Sequence, residues 1–363
     1  MSERCFVGTR KGLFVLTRQR EGWRVTGTHF LGAQVPMVLP GPVTLAALKH
    51  GHFGAKMHRS RDEGETWEEI AVPAFPPKPE GAEEVLDPMR QQPIPWSVEL
   101  LWSLERGDTG RLWCGTIPGA LFTSDDEGAS WQLNQPLWDV PERSHWFGGG
   151  YDYPGIHSIA IDPRDAQTVT LGVSCGGVWK TTNGGDAWAC KADGMRAAYM
   201  PPDRAFDPTI QDPHRVVQCH QEPDTFWAQH HNGIFKSTDS CETWTEHEAR
   251  PSSFGFAACV HPTDGKTAWF VPAECDEDRY PTDGQFVVTR TRDGGQSFET
   301  LSAGLPRAPA YDLVFRHAMD VDDRGDRLIM GSTTGNLWVS EDQGDHWQSI
   351  SHHLPPIYCT RFA

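Results

Sequence analysis

"SRDEGETW", residues 60–67, is a short polar stretch closed by an aromatic residue, and it recurs along the chain. The frame returns as "SDDEGASW" (124–131), "TTNGGDAW" (181–188), "STDSCETW" (237–244), "TRDGGQSF" (291–298) and "SEDQGDHW" (340–347). A worn copy, "TRQREGW", ends at Trp23. The shared pattern is Ser/Thr-x-Asp/Asn-x-Gly-x-x-aromatic, with Cys241 in place of the glycine once. Each element suits a hairpin turn. The Asp or Asn side chain caps backbone N–H groups, the glycine takes a positive φ, and the aromatic wedges between sheets. Repetition at this scale marks a chain built from like units packed side by side.

The intervals between successive aromatics, 44 to 64 residues, suit four-stranded units with loop insertions. Each turn follows an apolar strand ("GLFVLT", "ALFTS", "GVWKTT"), which itself follows another ("CFVGT", "RLWCGT", "TVTLGVS"). Seven such pairs predict an all-β, seven-bladed propeller spanning residues 1–363 as a single domain. The chain starts at a second strand, so blade one lacks its innermost one. Ile357–Phe362 is predicted to supply it and close the ring, which removes the open sheet edges.

The eight-residue frame resembles the Asp-box (BNR) repeat of sialidase-like β-propellers. The resemblance implies that each box lies between the third and fourth strands of its blade, on the face away from the active site. It therefore implies a structural role for carboxylates such as Asp62 and Asp126.

Composition narrows the function. Thirty-two Lys and Arg against 49 Asp and Glu leave a formal net charge of −17, which argues against nucleic acid and anionic membranes as partners. The opening "MSERCFVGTRKG" has no apolar core, and no run reaches the length of a membrane span. Nine cysteines without CxxC pairs fit a reduced cytoplasmic setting.

The insertions point to a working face. Linkers 72–96, 136–155 and 191–213 follow fourth strands, and 272–285 swells a second-to-third loop. Because strands alternate in direction, all open onto the face opposite the boxes. Long loops gathered over one end of a rigid scaffold mark where function resides.

That face collects histidines. His157 opens the strand "GIHSIAID" (155–162), 31 residues before Trp188. His214 and His317 each lie 30 residues before their own turn aromatics, Trp244 and Trp347, and Glu99 lies 32 before Trp131. Equivalent positions at the mouth end of innermost strands face one another across the channel. Three imidazoles and a carboxylate suit a divalent transition metal, Zn, Fe or Mn. His230 and His231, in "QHHN" (229–232), are candidates for proton carriers, ligand-orienting partners or extra ligands, and Glu99 doubles as a candidate base. The linker aromatics Trp96, Trp146, Phe147, Tyr151, Tyr153 and Tyr199 can wall a pocket for a small organic substrate.

The leading expectation is a metal-dependent enzyme (a hydrolase, lyase or oxygenase) acting on a small organic molecule at the channel mouth. The resemblance also suggests a glycosidase. Sialidases share an Arg-Ile-Pro motif, an arginine triad and a Tyr/Glu nucleophile pair. This chain has no "RIP", and its spacing places no arginine at the channel position, so a true sialidase is not expected. A two-carboxylate glycosidase using Glu99 with Asp152 or Asp212 remains open. A third reading is a non-catalytic module similar to the propeller that assists photosystem II assembly, for which a flat, metal-free face is expected.

Overall fold

The structure, a computed structural model, describes residues 3–363. Seven four-stranded antiparallel sheets form the seven blades of a β-propeller. Blade two runs outward from Gln34–Leu39 through Thr44–Lys49 and Ala55–Ser60 to Glu68–Ile70, and blades three to seven repeat that order. Blade one differs, because Ile357–Phe362 pairs with Arg4–Thr9 to complete the sheet. The innermost strands touch in sequence around the ring, and Met319–Val321 meets Ile357–Phe362 where it closes. Arg361 fastens the closing strand to Glu105 at 2.6 Å, and Phe362 N–H donates to Asp320 at 2.8 Å. No helix of the described residues is long and apolar enough to cross a membrane.

The repeated turns share one hydrogen-bond scheme. Ser60 Oγ donates to Asp62 Oδ1 and accepts from Gly64 N–H, while Asp62 accepts from both N–H and Oγ1 of Thr66. The same bonds recur around Asp126, Asp239 and Asp293. Two successive residues adopt positive φ in each turn, Glu63–Gly64 in blade two and Ser240–Cys241 in blade five. Cys241 thus takes a glycine's conformation, and the scheme survives the substitution. The indoles tie neighbouring blades together: Trp131 donates to Ala71 O, and Trp244 to Lys191 O.

The opposite ends of the innermost strands carry bulges. The ladder slips at Trp102 in blade three, His157 in blade four and His214 in blade five, and at Phe256–Ala257 in blade six. The closing strand slips at Tyr358. A bulge leaves one residue out of the pairing and re-aims its side chain. Around the ring this feeds side chains into the channel mouth. Neighbouring blades pack tightly enough that a Cβ on Gly8 would lie 2.5 Å from Val35 O, and one on Gly115 would lie 2.5 Å from Ile156 O.

Candidate functional site

The long linkers assemble over the mouth as expected. Gly148 N–H donates to the buried Asp87 carboxylate at 2.7 Å, and Arg90 pairs with Asp152 at 2.5 Å, joining linkers 72–96 and 136–155. His145 Nδ1 lies 3.0 Å from Thr209 Oγ1, and Phe147 packs with Ala197, Met200 and Ile210, joining 136–155 to 191–213. Beneath them lie a 280 Å³ cavity lined in part by Trp102, Phe256 and Tyr358, and a neighbouring 230 Å³ cavity holding Asp212, His214 and His231. Gly150, Phe256 and Arg279 border both.

The predicted four-ligand set does not form. Among the described residues, the group of three or more potential ligands whose donor atoms all lie within 4.8 Å of one another is Asp212, His214 and His231. His214 is the member that the shared position identified. His317 lines the larger cavity, but its Nε2 is 2.6 Å from the backbone oxygen of His157 and donates to it. His157 is fully buried, with Nδ1 2.8 Å from Ser158 Oγ and Nε2 without a hydrogen-bond partner. The equal spacings placed these residues at equal heights, yet the bulges and the neighbouring blades decide where each imidazole is used.

Glu99 is a further correction. It precedes strand Leu100–Arg106, its N–H donating to Ile117 O at 2.8 Å, and the bulge position in blade three belongs to Trp102. Its charge faces Tyr153 in the linker. His230, expected as a proton carrier, is instead held by the backbone. Its Nε2 lies 3.0 Å from Asp212 N and its Nδ1 lies 3.1 Å from Asn232 N. Burial pushes its pKa down to about 3, and the neutral ring has one acceptor nitrogen to offer these two N–H groups.

The cluster is built on blade five and braced by blade four. Asp212 and His214 flank Pro213, where the innermost strand of blade five begins, and His231 follows its second strand. Asp212 Oδ1 accepts from Ser174 Oγ at 3.2 Å and Cys175 N–H at 3.0 Å, both from blade four. Its Oδ2 lies 3.3 Å from His214 Nε2 and 3.6 Å from His231 Nδ1. The chain at Gly149 passes so close that a Cβ there would sit 3.3 Å from Oδ2 and 2.5 Å from Cys175 Sγ.

The electrostatics separate the roles. Burial opposes the charge on Asp212, but His214, His231 and Arg316 outweigh it and hold the carboxyl well below the usual range. Burial lowers the His214 pKa against the pull of Asp212, favouring the neutral ring. Burial also works against a charge on His231, but its hydrogen bond to Asp212 prevails and its pKa is raised. His214 Nδ1 sits 2.7 Å from Gly255 O. A carbonyl only accepts, so Nδ1 carries a proton and Nε2 is the nitrogen that faces the Asp212 carboxylate.

Two residues at the mouth escaped the sequence reading. Arg316 is 5% exposed and lines the larger cavity, and Arg279 borders it. The first overturns the expectation of no arginine at the channel position. Arg316 is the residue before His317, in a non-strand segment where strand spacing has no meaning. Asp212 figured only as a possible glycosidase carboxylate. Its signal was the Asp-Pro-His sequence at the head of an innermost strand.

Fold and site define a seven-bladed β-propeller with an Asp/His/His group, two of its members buried and His231 half-buried, at its elaborated mouth. No family model matches the chain, and no curated protein matches it by sequence. Among solved structures it is similar to the GH74 xyloglucanase from Xanthomonas campestris, with a TM-score of 0.64 at 15% identity, covering 98% of this chain and 53% of that one. It is similar to an ancestral GH74 enzyme, with a TM-score of 0.60 at 17% identity, covering 87% and 38%. It is also similar to YCF48 bound to D1 peptide, with a TM-score of 0.56 at 15% identity, covering 94% and 90%. The chain therefore spans about half or less of the two GH74 enzymes, and at these identities the likeness is one of fold.

Proposed function

We propose that this protein is a metal-dependent enzyme of the Asp-box propeller type that acts on a small organic molecule at the channel mouth. Asp212, His214 and His231 are the proposed ligands. The observation that carries the reading is the convergence of His214 Nε2, at 3.3 Å, and His231 Nδ1, at 3.6 Å, on one oxygen of the Asp212 carboxylate. Zinc-like bonds of about 2.0–2.2 Å at tetrahedral angles put ligand atoms about 3.3–3.6 Å apart. The separations of Asp212 Oδ2 from the two imidazoles, 3.3 and 3.6 Å, fall on that range.

Three protein ligands leave a position open to substrate or water, the pattern of catalytic rather than structural sites. A divalent ion there supplies Lewis acidity and a water acidic enough to ionise near neutral pH. Ser174 and Cys175 orient the carboxylate, and Gly255 fixes the His214 tautomer. His317, with Nε2 donating to His157 O, lines the larger cavity as a neutral ring, because burial holds its pKa well below the ordinary value. A two-carboxylate glycosidase is less well supported. Asp152 is an exposed partner of Arg90, Asp212 is enclosed by the imidazoles, and Glu99 borders neither cavity. Nine free cysteines, most of them buried, support a reducing compartment such as the cytoplasm.

The test is the metal content of protein purified without a histidine tag, stripped with chelator and reloaded separately with Zn²⁺, Mn²⁺ and Fe²⁺. One equivalent of one of these ions is expected, and Asp212→Ala or His214→Ala should each abolish it. Full occupancy in the Asp212→Ala/His214→Ala double variant, or no uptake by the wild type, overturns the reading.

A further inference from the structure

The larger mouth cavity holds a charge that the protein does not satisfy. The Arg316 guanidinium is 5% exposed, and its Nε and Nη2 have no hydrogen-bond partner. No carboxylate lies within ion-pairing distance of it among the described residues; Asp212 acts on it by charge alone. Its carbon sits over the ring of Trp102 at 4.9 Å and that of Phe256 at 5.4 Å. Ring faces attract a cation but accept no N–H in the guanidinium plane. Burying a charge in this state is costly, and an anion seated against it relieves that cost.

The surroundings describe the missing partner. The 280 Å³ cavity lies at the lower edge of small-molecule sites, which run from about 300 to 1,000 Å³. Its walls include Trp102, Tyr151, Phe256 and Tyr358, and they include no carboxylate although the chain carries a net charge of −17. The other cation, Arg279, is already paired with Asp276 at 2.5 Å. Gly150 lies against the guanidinium, where a Cβ would come within 3.2 Å of Arg316 Nη2. A single guanidinium between aromatic faces, with Nη1 the nitrogen not shut off from solvent, matches a planar monoanion better than a tetrahedral dianion.

We infer that Arg316 is the binding residue for the carboxylate of a small organic acid with an apolar or aromatic body, seated in the channel-mouth cavity. Its use as a substrate subsite rests on the proposed enzymatic reading, whereas the binding itself needs no metal. Because the two cavities share Gly150, Phe256 and Arg279, an acid held at Arg316 extends toward the Asp212–His214–His231 group.

The experiment is calorimetric titration of the full chain, stripped of metal, with benzoate, its neutral isostere benzamide, and inorganic phosphate. Benzoate should saturate in the millimolar range or below, with benzamide and phosphate at least about tenfold weaker. Arg316→Met should weaken benzoate by roughly tenfold to a hundredfold while melting no lower than the wild type, because a buried unpaired charge has been removed. Gly150→Val, which obstructs the guanidinium without touching its charge, should also lose benzoate. The inference is overturned by equal benzoate affinity in wild type and Arg316→Met, by no saturable binding to the wild type, or by tighter binding of phosphate. Metal uptake, read separately on the same preparations, tells failure of the metal reading from failure of this one.

Discussion

The two ends of this propeller are made from the same strands but obey different rules. At one end the turns repeat nearly atom for atom: Ser or Thr, Asp and the residue four positions after it form the same bonds around Asp62, Asp126, Asp239 and Asp293. At the other end equivalent residues diverge. His214 faces a carboxylate, His317 donates to a backbone oxygen, His157 is sealed in the interior, and Trp102 roofs a cavity. The turn is closed by groups within eight residues of one another, so like sequence makes like structure. The fate of a mouth residue also depends on groups from other blades, as when His317 donates to His157 O and His214 meets Gly255 O.

The largest expected effect tests whether the ring is cooperative. Deleting residues 356–363 removes the strand that pairs with Arg4–Thr9 together with the Arg361–Glu105 ion pair. The truncated protein should lose its cooperative thermal transition, and a melting curve like the full chain's would show that the blades stand without closure.

The turns come next. Hydrogen bonds from Thr66, Ser130 and Ser297 depress the pKa values of Asp62, Asp126 and Asp293 from the ordinary 3.8 to about 2. A depressed carboxylate stabilises the fold above its unfolded pKa, and that contribution is lost as pH falls through the folded value. Melting temperature should therefore drop between about pH 4 and pH 2. The triple variant Asp62→Asn/Asp126→Asn/Asp293→Asn should melt lower at neutral pH and show a shallower acid slope. An unchanged slope would remove these carboxylates from the account.

The smallest expected effect separates position from use. Glu99→Gln and His157→Gln alter residues that the spacing groups with His214, yet metal uptake should stay at the wild-type level in both. Loss of metal in either would restore the spacing-based ligand set and break the contrast between the two ends.

The sequence alone determined the blade number, the closing strand, the turn chemistry and the elaborated face. All four follow from patterns written locally: the eight-residue frame, the paired apolar strands before it, a missing first strand and an unmatched last one. It also determined that His214 belongs at the mouth and that His231 lies within reach as an extra ligand. The tertiary structure alone decided that Asp212 completes their group, that Trp102 rather than Glu99 holds the blade-three position, and that Arg316 lies unpaired in the cavity. The bulges are the physical reason. Each inserts a residue where the ladder slips, which shifts the register that spacing arguments assume and turns side chains toward neighbours contributed by other blades. Arg316 lies beyond any ladder, in a segment whose place is fixed only when blade seven packs against the closing strand, with Thr360 N–H donating to His317 O at 2.8 Å.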